Sequence, residues 1–331
     1  MSQLPVIFRL AALAAIITFA FPVFATGQQI DPAVLELDRL TAQELNWRSL
    51  APGLEFLELK LEKSRTASGQ ILLKAMPSPT LAAGSDDKRD NPHAELAVLR
   101  SDPAQVEYTL HMASEDGLRS SLRDRAKRHG LVAAINAGMY LPDNSSNTGY
   151  LRSASHTNNG RVVKNFGAFF LAGPRKSGLP PARLLEKNQL GDKLNEKIAD
   201  YDIVAQNYRL TSGERSILWP DTAEAFSISA LGRDAQGRIL FIACETPLSP
   251  PDFARLILAL PLEADLLMYL EGGGQAGLAV LDAENAKPAG LNTDTGLYKV
   301  WSGRHSGLRL GGLGGANEPP LPNVLGLRLK K

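Results

Sequence analysis

A chain of 331 residues with 44% hydrophobic content is long enough for one large domain or two ordinary ones, and apolar enough to bury a core rather than stay disordered. Its 36 Lys and Arg residues against 35 Asp and Glu leave a formal charge of +1, so no global field draws it to nucleic acid or to an anionic membrane surface. With Cys244 as its one cysteine the chain has no internal disulfide framework.

In chain order, Arg9 precedes an uncharged apolar run from Leu10 to Phe24, and small Ala25 stands before polar Thr26-Gly27-Gln28. This is the pattern of a cleavable secretory signal, predicted over residues 1–25, with an apolar run shorter than the roughly 20 residues a spanning helix needs. The expectation is an exported protein, periplasmic or secreted, with no stable membrane insertion after cleavage. Residues 26–95 read as lead-in strands and a loop. Leu54 to Leu61 alternates apolar and charged residues, Gln70 to Lys74 follows as a second strand, and Pro77 to Pro92 is a polar loop. Its flanks, Ile71 to Leu73 and Glu95 to Arg100, look like hairpin partners.

From residue 96 to 331 the pattern is one domain. Tyr108 to Met112 suits a strand, and Leu118, Leu122 and Ala126 at helical spacing predict a helix running to Gly130. Leu131 to Ile135 is apolar throughout and ends on Asn136-Ala137-Gly138-Met139-Tyr140. Lys164 to Leu171 and Tyr201 to Leu210 are further strands, and Phe226 to Leu231, the turn Arg233 to Gly237 and Arg238 to Cys244 read as a hairpin. Cys244 fits a buried small hydrophobe. Ser249 as cap, Pro250 at the first turn and Asp252 completing a capping box predict a helix whose apolar face is Phe253, Leu256, Ile257 and Leu260. The apolar run Leu266 to Leu270 then stops on Glu271-Gly272-Gly273-Gly274-Gln275, and Asn323 to Leu327 closes the domain. No repeat is visible, so the predicted fold class is α+β: a mixed β-sheet core with flanking helices in a single domain.

Two apolar strands therefore end in a polar residue followed by glycine, and those ends are the candidate chemistry. Glu271 is the candidate catalytic carboxylate, free to stabilise a cationic centre, act as nucleophile or activate water. The N–H groups of Gly272 to Gln275 could converge on an oxygen-rich group beside Glu271, or simply form a turn. Asn136, with two donors and an acceptor, could hold ligand oxygens or form an Asx turn before Gly138. Arg209, in the polar cluster Gln206-Asn207-Tyr208-Arg209, could clamp an anion or serve in a surface ion pair, and Tyr140 could stack on a ligand or simply pack. The histidines lack metal-ligand spacing, so no metal site is expected and no cofactor is required.

Four stretches in this order, Ile135 to Tyr140, Asn165-Phe166-Gly167-Ala168-Phe169, Ser229 to Gly237 and Tyr269 to Gly274, resemble the phosphodiester glycosidase family over about Leu96 to Leu327. Family members usually read Asp-Gly-Gly-Gly-Ser where this chain has Glu271 to Gln275, and often carry an Arg where this chain has Ile228. The resemblance implies a hydrolase acting on a sugar 1-phosphodiester or related cell-envelope glycan. It makes Glu271 and Asn136 the catalytic pair, with Gly138, Tyr140, Asn165, Gln206, Asn207, Arg209 and Gly272 to Gly274 around the substrate. The expected partner is a glycan or sugar-phosphate substrate, with no nucleic acid. The alternative is a glycan- or phosphate-binding envelope protein of the same fold without catalysis.

Overall fold

Three antiparallel sheets share one apolar core in the computed structural model, which describes residues 40–65, 71–77, 95–281, 298–302 and 318–330. The predicted signal peptide and most of the Pro77 to Pro92 loop lie outside the described residues. Among the described residues, no helix is long and apolar enough to cross a membrane.

The first sheet runs in the spatial order Arg48–Ala51, Leu54–Arg65, Leu96–Ser101, Ile239–Leu248, Phe226–Asp234, Ala264–Gly272, with Ile71–Pro77 also paired to Leu54–Arg65. The second joins Ala182–Glu186, Ala168–Pro174, Tyr201–Asn207, Leu151–Arg152 and Thr157–Asn159. The third joins Tyr298–Ser302, Gly277–Leu281, Ala133–Asn136, Asn323–Leu329 and Val106–Met112. Period-two side-chain alternation explains the layering. Phe241, Leu266 and Met268 enter the core shared by all three sheets, while their neighbours Leu240, Leu267 and Tyr269 enter a second apolar cluster on the other face of the first sheet. Helix Pro250–Ala259 closes that second cluster with Phe253, Leu256 and Ile257, each worth about 1.5–3 kcal/mol on burial. As the sequence suggests, Ser249 caps it, accepting from Asp252 N–H at 3.3 Å and donating to the Asp252 carboxylate at 2.7 Å. Cys244 is buried in the same cluster.

The expected mixed sheet is instead three sheets in which every described pairing is antiparallel, and strand outweighs helix. Two local expectations are also corrected. Ile71–Pro77 and Leu96–Ser101 are not hairpin partners, because the long strand Leu54–Arg65 pairs with both. The helix expected from Leu118 starts at Leu122. Gly117, at φ 71°, ends a short helix Ala113–Asp116, and Ser121 caps Leu122–His129 by accepting from Asp124 N–H at 3.1 Å.

The third correction matters most for the site. Beyond Asn207 the chain leaves the second sheet and runs along the outer edge of Ala264–Gly272: Tyr269 N–H donates to Tyr208 O at 3.0 Å and Leu210 N–H to Leu267 O at 2.9 Å. This covers a sheet edge that would otherwise present unpaired backbone groups. It also brings together the ends of Ala133–Asn136, Tyr201–Asn207 and Ala264–Gly272, one strand from each sheet.

Candidate active site

Glu271 sits on a β-bulge. Ala230 pairs with Tyr269 and Ser229 with Glu271, so Leu270 has no residue opposite it. Strict alternation would place Leu270 opposite Ser229; the extra residue brings the carboxyl residue there instead. The Ser229 hydroxyl donates to Asn136 Oδ1 at 2.6 Å and lies 3.4 Å from the Glu271 carbonyl oxygen. Gly277 N–H donates to the same Asn136 oxygen at 3.3 Å. Asn136 is thereby fixed in orientation with its carbonyl satisfied twice, while its Nδ2, buried, has no partner among the described residues. An amide held this way keeps a donor in reserve.

Two further asparagines stand beside it. Asn207 Nδ2 donates to the Leu270 carbonyl at 3.2 Å, on the bulge itself, and its Oδ1 accepts from Tyr208 N–H at 2.8 Å. Asn147 is 1% exposed, and its Oδ1 has no described partner. Gly138, at φ 120°, separates the two: a Cβ there would lie 3.2 Å from Asn147 Oδ1 and 3.4 Å from Asn207 Nδ2. The backbone angle thus requires glycine, and the space around it is tight. Asn147 is held in turn by Asn158, whose Oδ1 accepts its N–H at 2.6 Å, and by Asn159, whose Nδ2 donates to its carbonyl at 2.9 Å.

Burial raises the Glu271 carboxyl to about 7, opposed by one backbone donor, Gly272 N–H at 3.1 Å. Tyr269, buried, is pushed well above the ordinary phenol range by desolvation and by the Glu271 charge. Aromatic rings continue from it through Trp219, 5.2 Å from Tyr269, and Tyr208, 5.3 Å from Trp219, centroid to centroid. Half-buried Tyr140 also feels Glu271; burial raises its phenol, and a hydrogen bond from the Gln275 side chain pulls the other way. Gly272 fills a position with no room for a side chain, and Gly273–Gln275 forms one turn of 3-10 helix with Gly273 at φ 69°. Ile228, opposite Gly272, is fully buried in the second apolar cluster and brings no charge.

The remaining candidates have other partners. Arg209 makes an ion pair with Glu186, whose second oxygen accepts from Gly213 N–H at 2.7 Å. Gln206 is buried and spends its side chain on the Asn165 loop: Nε2 donates to the carbonyls of Val163 and Phe166, both at 2.8 Å, and Oε1 accepts from Val163 N–H at 2.9 Å. Asn165 is exposed on that loop. The sequence showed Ser229 and Gln275 only as parts of motifs, and Asn147 carried no signal. A serine inside an apolar strand, at the register of the carboxyl, was the one available signal for the first.

A sequence model of the phosphodiester glycosidase family matches residues 129–302, the stretch that holds Asn136, Asn147, Asn207, Ser229 and Glu271. No curated protein matches. Among solved structures, the catalytic domain of zebrafish N-acetylglucosamine-1-phosphodiester alpha-N-acetylglucosaminidase, auto-inhibited by its pro-peptide, superposes with a TM-score of 0.50 at 13% identity over 86% of each chain. A hypothetical protein from Synechocystis superposes with a TM-score of 0.48 at 11% identity, over 86% of this chain and 64% of its own. At 13% identity the likeness to the zebrafish domain is one of fold.

Proposed function

The chain belongs to the phosphodiester glycosidase family, and from that membership we propose that it is an exported hydrolase that cleaves a sugar 1-phosphodiester, or a related cell-envelope glycan, between the anomeric carbon and the phosphate oxygen. The observation that carries this reading is Glu271: a desolvated carboxyl held near pKa 7 at a strand end, whose cross-strand partner Ser229 orients the Asn136 amide with its spare donor. A group poised there exchanges a proton with its surroundings at neutral pH, as acid or base catalysis requires. Departing phosphate is already a good leaving group, so one carboxyl suffices to assist it. As the C1–O bond breaks, positive charge develops on the sugar. Water supplies OH to C1, and its proton ends on the phosphate or on Glu271. Asn136 Nδ2 would hold a sugar hydroxyl or a phosphate oxygen, with Asn207 and Asn147 shaping the floor around Gly138. Export to the periplasm or beyond rests on the Leu10 to Phe24 run ending at Ala25.

The test is hydrolysis in ¹⁸O-labelled water of a panel of sugar 1-phosphodiesters. N-acetylglucosamine comes first, since it is the sugar in the zebrafish protein's name. Free sugar carrying the label at C1 is the expected product by mass spectrometry. Label in the phosphate would mean P–O cleavage and end the glycosidase reading. Saturable binding with no product would favour the non-catalytic alternative.

A further inference from the structure

Strand Val106–Met112 forms one edge of the third sheet and pairs, among the described residues, with Asn323–Leu329 alone. The register of that pairing fixes which backbone groups are spent. Ala113 N–H donates to Pro322 O at 2.7 Å, so the hydrogen-bonded pairs along the ladder are His111 with Val324, Thr109 with Gly326 and Glu107 with Arg328. The alternate residues Tyr108 and Leu110 turn their N–H and C=O groups the other way, and these have no backbone partner among the described residues. Two donors and two acceptors are thus presented along one line, repeating at about 7 Å. The side chains of both residues enter the core, so it is their backbone that the open edge displays.

That edge opens into a cleft of about 720 Å³ lined by every residue from Val106 to Met112, with Ser153 to Ser155, Pro174, Pro181 and Asp202 on the side of the second sheet. The cleft is acidic. Glu107, Glu115, Asp116 and Asp202 line it against one ammonium, Lys330, whose Nζ donates to the carbonyls of Pro103 at 3.4 Å and Ala104 at 2.7 Å. Asp116 is paired with Arg125 and Asp202 with Arg175. Glu107 and Glu115 are exposed and have no cationic partner among the described residues; Glu115 accepts from the Ser153 and Ser155 hydroxyls. His111 and His129 also line the cleft, stacked with ring centroids 3.7 Å apart, and burial holds both below the usual imidazole range, so neither adds positive charge at neutral pH. Glu107 stands near one end of the strand and Glu115 just beyond the other.

We propose that this cleft takes an extended, basic peptide segment of a partner protein, added as a further strand to the open edge of Val106–Met112, with cationic side chains set against Glu107 and Glu115. Alternating backbone donors and acceptors at a strand repeat are matched along their length by another extended backbone, which is how peptides join exposed sheet edges elsewhere. The two unpaired carboxylates select the charge of that peptide. A second copy of this chain, paired edge to edge about a two-fold axis, would instead set one acidic cleft against another. None of Asn136, Asn147, Asn207, Ser229 and Glu271 lines this cleft, so the proposal goes beyond the glycosidase reading and does not depend on it.

The test titrates the full-length protein into a dye-labelled peptide of alternating Thr and Val with a Lys at each end, read by fluorescence anisotropy. Two control peptides accompany it, one N-methylated on alternate backbone amides and one with Glu in place of each Lys. Saturable binding of the Lys peptide is expected, with both controls weaker by about tenfold or more. Glu107→Gln and Glu115→Gln together weaken the Lys peptide by about five- to tenfold, and thermal melts of that variant match the wild type. Residue-resolved hydrogen exchange places the peptide: in the free protein the Tyr108 and Leu110 amides exchange faster than those of Thr109 and His111, and the Lys peptide slows them by about tenfold or more. Equal binding of the N-methylated peptide means charge attraction without strand addition and overturns the proposal, as does no binding of the Lys peptide. Slow exchange at Tyr108 and Leu110 in the free protein also overturns it: the edge is then already covered, by a second copy if the slowing grows with protein concentration and by another segment of the same chain if it does not.

Discussion

Glu271 faces Ser229 across a β-bulge, and the Ser229 hydroxyl passes the connection on to Asn136 at 2.6 Å. One inserted residue thus decides that a carboxyl, and not the Leu270 side chain, stands opposite a polar strand position. The bulge also explains why Asn207 reaches the Leu270 carbonyl: with no residue opposite Leu270, a side chain from the second sheet contributes the donor.

The first consequence is kinetic. Glu271→Gln keeps the shape and removes the titrating proton, and is expected to lower kcat at least about 100-fold on any sugar 1-phosphodiester the wild type hydrolyses. Glu271→Asp withdraws the carboxyl by one methylene and should retain part of the activity. Steady-state kinetics with thermal melts check both, and an undiminished kcat in the Gln variant removes Glu271 from the mechanism.

A second consequence is a pH dependence of stability with a definite sign. The carboxyl is raised from about 4.5 to about 7 on folding, so between those values the folded state keeps a proton that the unfolded state has released. Stability from this group is therefore full below about pH 4.5, falls as pH rises between about 4.5 and 7, and is level above that, a loss on the order of 3 kcal/mol. Glu271→Gln cannot lose a proton. Its melting temperature should track the wild type in acid and exceed it above neutrality; a constant difference across pH 4 to 8 would show that the carboxyl is not desolvated.

Ser229→Ala should act through Asn136. It leaves Asn136 Oδ1 with the Gly277 N–H alone, at 3.3 Å, and frees the amide to rotate. The expected cost is about 1–2 kcal/mol in stability, with a fall in kcat/KM, while Ser229→Thr preserves the hydroxyl and recovers part of both. Denaturant titration and kinetics on the two variants test it; activity unchanged in Ser229→Ala would mean that Asn136 needs no orientation.

The two strand ends that carry this site were legible because a buried strand reads as an unbroken apolar run and glycine marks where it stops, as at Leu266 to Gly274 and Leu131 to Gly138. The partners of Gln206 and Arg209 were not. Val163, Phe166 and Glu186 lie on other loops and strands, and nothing local in a sequence states which distant carboxylate or carbonyl will claim a side chain. The break at Gly117 to Ser121 was hidden by the Leu118, Leu122, Ala126 spacing, which mimics one continuous helix. Ser121 as a cap residue, with Asp124 three positions on, was the signal for the true start. Strand order was beyond reach for a related reason: Leu54–Arg65 has edges enough for several neighbours, and only the shared core selects among them.

Arg209 and Glu186 give a coupled pair. Removing either leaves the other half-buried charge without its partner, so Arg209→Ala and Glu186→Ala should each destabilise by about 1–3 kcal/mol, and the double variant by clearly less than both together. Additive losses in a denaturant double-mutant cycle would show that the two side chains do not depend on each other, and would return Arg209 to the list of free cations beside the site.

Gly272 and Gly273 separate two reasons for being glycine. At Gly272 an added Cβ would lie 2.4 Å from the Tyr269 hydroxyl oxygen and 2.6 Å from two ring carbons of Phe226, closer than non-bonded atoms approach. Tyr269 is buried and cannot yield, so Gly272→Ala must shift the strand end, at about 1–3 kcal/mol, and with it the N–H that donates to the Glu271 carboxyl. Gly273 has open space but φ 69°, so Gly273→Ala meets only the left-handed backbone cost of about 1–2 kcal/mol and touches no neighbour. Similar losses of stability are therefore expected from the two, with a loss of kcat at Gly272→Ala far beyond that at Gly273→Ala, because only the first moves the carboxyl. Paired melts and kinetics decide it: equal kcat values in the two variants would mean that Glu271 is positioned independently of the turn beneath it.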